Sequence, residues 1–262
     1  MTTTAAESAF ARFTDPYKAY GDKIQMKIDH TLRVRDLCED IAESIGLCDG
    51  DIELAAICGL LHDIGRFEQF GRYGTYNDSR SVDHGDLGAE LLEDHDLICS
   101  FSPTNHDTIV NAVRYHNKYR IPDTLSDKDA LFARIVRDAD KLDILRSLAT
   151  GVLSIRSKNT AMSEPVLNAV LNRRSIRKQE LETKADNIAM CLAFTFDLQF
   201  ERSLEILKEN GSIDMMIRRH MGEAESEELR AQLEMLQGHF LRCLEEGSNL
   251  GVPRDAEGAA RA

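Results

Sequence analysis

Residues 51–65 read DIELAAICGLLHDIG, and the fold class follows from how that run is built. Asp51 is a candidate N-cap, Glu53 places negative charge in the first turn, and Gly65 supplies a stop, so the pattern predicts a helix over about 51–63. Leu54, Cys58 and Leu61 fall on one face, and His62 continues that face with Asp63 beside it. An imidazole and a carboxylate thus leave one helix end together. The stretch 66–82 carries Gly71, Gly74, Asn77, Asp78, Ser79 and Ser81 and reads as a polar loop. Its aromatics and donors suit a segment that covers a ligand.

Outward from this centre the three-and-four spacing of apolar residues persists. Upstream, Ile24, Ile28, Leu32, Val34, Leu37, Ile41 and Ile45 predict a helix over 24–46 ending at Gly46. Downstream, helices are expected over about 84–94, from Pro103 to Lys118 with Pro122 beyond, and from Ser126 through Leu148. Ile188, Leu192, Phe196, Phe200 and Leu204 predict another across 186–210, and an amphipathic pattern predicts a last one over 224–246. No strand pattern and no internal repeat stands out. The expectation is an all-α helical bundle with additional C-terminal helices. Its division is a 1–22 N-terminal extension, a central domain over 23–150, a C-terminal helical extension over 151–246 packed on it, and a disordered tail over 247–262.

Composition narrows the function classes. With 42% hydrophobic and 29% charged residues among 262, the chain reads as globular and able to bury a core. The longest near-apolar run, Leu54 to Leu61, falls well short of the roughly 20 residues a bilayer needs, and no secretory pattern opens the sequence. No membrane association is expected, and a cytoplasmic location is the default. Thirty-two basic against 45 acidic residues give −13, a field that disfavours duplex nucleic acid. Cys38, Cys48, Cys58, Cys99, Cys191 and Cys243 are scattered without a C-x-x-C pair and read as reduced, mostly buried side chains. Arg173, Arg174, Arg177 and Lys178 read as a solvated basic face.

The chemistry lies in histidines at inward positions. His30 sits on the stripe with Val34, Leu37, Ile41 and Ile45, and His62 ends the 54–61 face. His84 shares a face with Leu87, Gly88 and Leu91, and His116 completes the stripe Ile109, Ala112, Val113. A buried imidazole needs a hydrogen-bond partner or a metal, and four of them with an adjacent Asp seek a common explanation. Later in the chain, Asp138-Ala139-Asp140-Lys141-Leu142 offers two acids. Asp138 shares a face with Leu131, Ile135 and Leu142, and Asp140 with Val136 and Ile144, so periodicity leaves both open. The acid that is not a ligand would pair with an arginine or hydrogen-bond a ligand histidine.

The order His30, then His62-Asp63 in Leu60-Leu61-His62-Asp63-Ile64-Gly65, then Asp140, resembles the HD superfamily of metal-dependent phosphohydrolases over about residues 20–150. His84 in His84-Gly85-Asp86-Leu87-Gly88-Ala89 and His116 in Arg114-Tyr115-His116-Asn117 look like the two further histidines of the branch that binds two metals. The resemblance implies an HD-domain bundle with His30, His62, Asp63, His84, His116 and Asp140 as metal ligands. Asp63 would bridge, with His30, His62 and Asp140 on one ion and His84 and His116 on the other. The cofactor implied is a divalent transition metal, one or two ions, with Fe, Mn, Ni, Zn and Co all compatible with nitrogen and oxygen donors.

The implied activity is hydrolysis of a nucleotide or small phosphate ester by metal-activated water. Asp63 and Arg66 are the expected catalytic residues, and Arg66, Lys118 and Lys141 the expected substrate contacts. The chain departs from the branch that cleaves cyclic dinucleotides, because His116-Asn117-Lys118-Tyr119-Arg120-Ile121-Pro122 lacks that branch's Gly-Tyr-Pro. It likewise lacks the synthetase region of the alarmone hydrolases. Two alternatives share the ligand pattern: a di-iron oxygenase of the same fold, and a non-catalytic sensor that binds a nucleotide or partner. A small phosphate-containing substrate is the expected partner, and the oligomeric state, homo-oligomer included, is left open.

Overall fold

The structure is a computed structural model that describes residues 2–94, 97, 102–155, 157 and 159–246. The expected disordered tail, 247–262, and Cys99 lie outside the described residues. Among the described residues there is no strand, as an all-α chain requires. The described residues form twelve α-helices with four 3₁₀ turns between some of them, in two compact units, Met1–Asp140 and Lys141–Ala262.

In the first unit the helices are α1 (Thr3–Thr14), α2 (Asp22–Ser44), α3 (Asp49–Leu61), α4 (Ile64–Tyr73), α5 (His84–Asp94), α6 (Pro103–Tyr115) and the first part of α7 (Asp127–Thr150). Helix α3 forms the centre: Leu54 to Leu61 are buried without a break, so it presents no polar face. Helices α1, α2 and α6 pack on it, and α5 joins α4 to α6. Gly59 lets α2 approach closely, since a Cβ there would meet Cys38 Sγ at 2.8 Å and Val34 O at 3.0 Å. Lys128 of α7 donates to Asp51 at 2.9 Å and Thr108 of α6 to Asp129 at 2.6 Å, which ties the start of α7 to α3 and α6.

Part of the expected polar loop is helical: α4 covers Ile64–Tyr73, and 74–83 is loop apart from a 3₁₀ turn at Asp78–Arg80. Ile64, Phe67 and Phe70 recur at three-residue spacing and are buried, Phe67 against Phe10 at 5.6 Å between ring centres. This stripe outweighs Gly71. Gly74, at φ 65°, is the left-handed cap that ends the helix, its N–H donating to Phe70 O at 2.8 Å.

The second unit holds the end of α7 and α8 (Glu164–Leu171), α9 (Asp186–Ala193), α10 (Glu201–Asn210), α11 (Ser212–Glu223) and α12 (Glu227–Glu246). The helix expected over 186–210 is two, parted by a 3₁₀ turn at Phe194–Asp197 and an extended step at Leu198 and Phe200. Its apolar residues repeat every four positions, which drifts about 40° per repeat on a 3.6-residue helix, so one straight helix cannot keep them all inside. The break restores Phe196 and Leu207 to the core, where Phe196 stacks on Phe240 at 5.4 Å. Cys38, Cys58, Cys191 and Cys243 are buried and Cys48 is exposed. Arg174 of the basic run pairs with Glu180 at 2.6 Å. No helix among the described residues is long and apolar enough to cross a membrane.

Candidate metal centre

Side chains from five helices of the first unit meet at one carboxylate. Asp63 stands in the break between α3 and α4, where its backbone (φ −102°, ψ 19°) turns the chain from one helix to the next. Its Oδ2 faces His30 Nε2 and His62 Nε2, each at 3.5 Å. Its Oδ1 faces His84 Nε2 at 3.5 Å and His116 Nε2 at 3.7 Å. Asp140 of α7 closes the Oδ2 side, with Oδ1 3.2 Å from His30 Nε2 and 3.7 Å from His62 Nε2. The six residues singled out as ligands by resemblance are thus together in space. Of the two acids left open by periodicity, Asp140 reaches the cluster.

The other ring nitrogens decide which tautomers the histidines carry. His62 Nδ1 lies 2.7 Å from Gly59 O and His116 Nδ1 2.7 Å from Val113 O. A carbonyl only accepts, so both Nδ1 atoms carry a proton, and in the neutral rings both Nε2 atoms present lone pairs inward. His84 Nδ1 donates to Asp78 at 2.9 Å, which leaves its Nε2 in the same state. His84 Nε2 and His116 Nε2 then meet at 3.0 Å, two lone pairs that repel unless something positive lies between them. His62 Nε2 is fully buried and has no hydrogen-bond partner. Buried, converging donors of this type fit a divalent transition metal, and His30-His62-Asp140 and His62-Asp63-His116 each bring their ligand atoms within 4.8 Å of one another.

Electrostatics keep the donors in ligating form. Burial pulls the His62 pKa down to about 3. Burial, then the neighbouring Arg66 charge, pulls His84 down to about 4. Burial alone would raise Asp63, but the Lys27 ammonium, ahead of the imidazoles, holds it well below the usual carboxylate range. Asp140 is held low against the same burial by the His30 hydrogen bond and the His62 and His30 rings.

A stability prediction follows for the metal-stripped protein. The unfolded chain, with ordinary histidine pKa values near 6.5, takes up protons that the folded rings refuse, so stability is full above about pH 6.5 and falls below it. At pH 5 the loss amounts to about 2 kcal/mol for each of His62 and His84. The carboxylates, with depressed folded values, add their loss only below about pH 4. Urea midpoints of chelator-treated protein at pH 7.5 and 5 measure this, and equal midpoints would contradict it.

Two residues of the site escape the sequence reading. Lys27 of α2, one turn before His30, places Nζ 2.5 Å from Asp63 Oδ2. Asp78, in the 74–83 loop, accepts from both His84 and Arg66, with Arg66 Nη1 at 2.8 Å. Gln69 donates to Asp78 at 2.9 Å, so the loop is tied to α4 and to the histidine together. Arg66 Nη1 also donates to Gln69 and to the Tyr76 carbonyl, and its Nε lies 3.5 Å from Asp63 Oδ1.

The other two expected substrate contacts sit on carboxylates: Lys118 on Asp83 at 2.8 Å and Asp86 at 2.7 Å, and Lys141 on Asp197 at 2.9 Å. Asp83 itself caps α5, accepting from the Gly85 and Asp86 N–H groups at 2.9 and 3.1 Å.

Residues 28–145 match the family described as HD domain. Among curated proteins the chain is similar to ribonuclease Y of Aliarcobacter butzleri, 28% identical over 190 residues that cover 69% of this chain and 32% of the relative. Similarity to ribonuclease Y of Mycoplasmoides gallisepticum is 23% over 239 residues, 87% of this chain and 34% of the relative. Ribonuclease Y of Sulfurovum is 27% identical over 140 residues, 52% and 24% of the two chains. The chain therefore spans about a third or less of the relatives' length. No solved structure matches significantly.

Proposed function

We propose, from the premise that residues 28–145 are an HD domain, that the chain is a metal-dependent phosphohydrolase or phosphodiesterase acting on a nucleotide or small phosphate ester. The observation that carries this reading is the convergence of unprotonated imidazole nitrogens on both oxygens of Asp63, with His84 Nε2 and His116 Nε2 at 3.0 Å. His30, His62, Asp63 and Asp140 would hold one ion, and Asp63, His84 and His116 a second. Bound divalent ions supply positive charge to phosphoryl oxygens and bring the pKa of water toward neutrality.

The protein's own share is positioning. Asp63, buried and held in its anionic form, fixes the separation of the two donor sets. Arg66 is held by Gln69, Tyr76 and Asp78, so its guanidinium stands ordered at the Oδ1 side, where it can meet a phosphoryl oxygen without first losing side-chain freedom. Asp78 keeps His84 in the Nδ1–H tautomer. The ribonuclease name of the relatives favours the diester within the phosphate class, and the −13 charge favours a short substrate over a long polyanion.

The test is turnover by the purified chain, reconstituted separately with Mn, Fe, Co, Ni and Zn, on phosphomonoesters, nucleotides, cyclic dinucleotides and short oligoribonucleotides. Metal-dependent release of phosphate or nucleotide without dioxygen consumption is the expected result. No turnover with any metal on the whole set would end the hydrolase reading.

A further inference from the structure

Lys27 carries an ammonium that touches the donor cluster. Its Nζ lies 2.5 Å from Asp63 Oδ2, the same oxygen that faces His30 and His62 at 3.5 Å. The side chain is 17% exposed while Asp63 is 3% exposed, so Lys27 reaches the cluster from the side that opens to solvent. The Tyr76 ring lies 5.8 Å from Nζ, within cation–π range. Tyr76 is itself fixed from both ends, its hydroxyl donating to Lys23 O at 3.1 Å and its carbonyl accepting from Arg66.

A divalent ion held by His30, His62, Asp140 and Asp63 Oδ2 and an ammonium on that same oxygen are competitors, because they share one acceptor and repel each other. The lysine stem is flexible and partly exposed, so the ammonium has somewhere to go: onto the Tyr76 face, still beside the centre. There it is a cation with no carboxylate of its own, next to the place where a phosphoryl group would bind. Lys118 and Lys141 stand differently, each already on a carboxylate.

We infer that Lys27 is a substrate-contacting residue with two positions, holding Asp63 Oδ2 before metal binds and taking a phosphoryl oxygen of the substrate afterwards. The inference rests on the metal-dependent reading given above, and its signature is a pair of effects of opposite sign. Removing the ammonium should tighten metal binding, since a competitor is gone, and weaken anion binding. A lysine that served only as an ion pair to Asp63 would also tighten metal binding on removal, so the loss of anion affinity is the effect that separates the two roles.

The test uses K27M and K27Q in the full chain, with Mn(II) and then orthophosphate as titrants in calorimetry, so that no substrate need be known. Expected are Mn(II) affinity higher by about tenfold in both variants and orthophosphate affinity of the Mn-loaded protein lower by about tenfold, each a change of about 1.4 kcal/mol. K27Q keeps a hydrogen-bond donor for Asp63 and supplies both readouts if K27M does not fold. Mn(II) affinity unchanged or weaker in the folded variants, or orthophosphate affinity unchanged, overturns the role of Lys27 and leaves the metal reading standing. A wild-type chain that binds no Mn(II) or any other of the transition metals overturns both.

Discussion

Asp63→Asn is expected to lower metal-dependent kcat/KM by about 1,000-fold while the helical content stays at the wild-type level. The substitution keeps shape and removes charge. An amide has one oxygen, so it can serve either the His30–His62 side or the His84–His116 side of the cluster, and its NH2 then points at lone pairs or cations on the other. The effect should appear as loss of metal as well as loss of rate, so stoichiometry of bound Mn measured beside turnover and far-UV circular dichroism is the relevant set. Activity within tenfold of wild type, with metal still bound, would mean that Asp63 is not the shared ligand and that the centre is organised otherwise.

Gly65→Ala is expected to destabilise the first unit by about 3 kcal/mol or more, a large effect for one added methyl group. A Cβ at Gly65 would lie 2.2 Å from His84 O and 2.7 Å from Gly88 N, both main-chain atoms of α5 that cannot swing aside. Gly88 in turn lies against Gly65 and the Val113 side chain, so α4 and α5 close on each other through residues without side chains and Val113 of α6 packs against them. Gly71→Ala on the same helix is the comparison. Its Cβ would meet the Tyr17 ring at 3.1 Å, a contact with a side chain, while alanine gains up to about 1 kcal/mol of helix propensity over glycine. Urea unfolding should therefore separate the two variants by several kcal/mol. Similar midpoints would show that α4 and α5 can part without cost. Because His84 begins α5, the folded fraction of Gly65→Ala should also bind metal more weakly.

Much of this arrangement is legible in the sequence. His30, His62, His84 and His116 stand at inward positions of helical patterns, where a polar ring is conspicuous. The choice between Asp138 and Asp140 was not readable, because α7 is buried on nearly every side and both acids share faces with apolar neighbours. Lys27 is hard to single out because a helix lysine is ordinarily solvated; its one clue is the three-residue spacing to His30, which puts both on one face. Asp78 has no clue of that kind, since it opens the three-residue 3₁₀ turn Asp78–Arg80, too short for a period to show. The misread start of the 66–82 segment has a physical lesson: Gly71 and Gly74 look alike as sequence, yet one is inside a helix and the other ends it. Only the buried Ile64, Phe67 and Phe70 stripe tells them apart.

The rings of His62 and His116 take their orientation from the carbonyls of Gly59 and Val113, three residues earlier on their own helices. Main-chain oxygens survive every amino-acid replacement, so random variation around these two positions can alter packing or charge but cannot reverse which nitrogen is left bare. His84 is different, since its orientation depends on a side chain in a loop. Inherited drift, or a laboratory library, should thus erode the orientation of His84 first, and leave those of His62 and His116 intact long after.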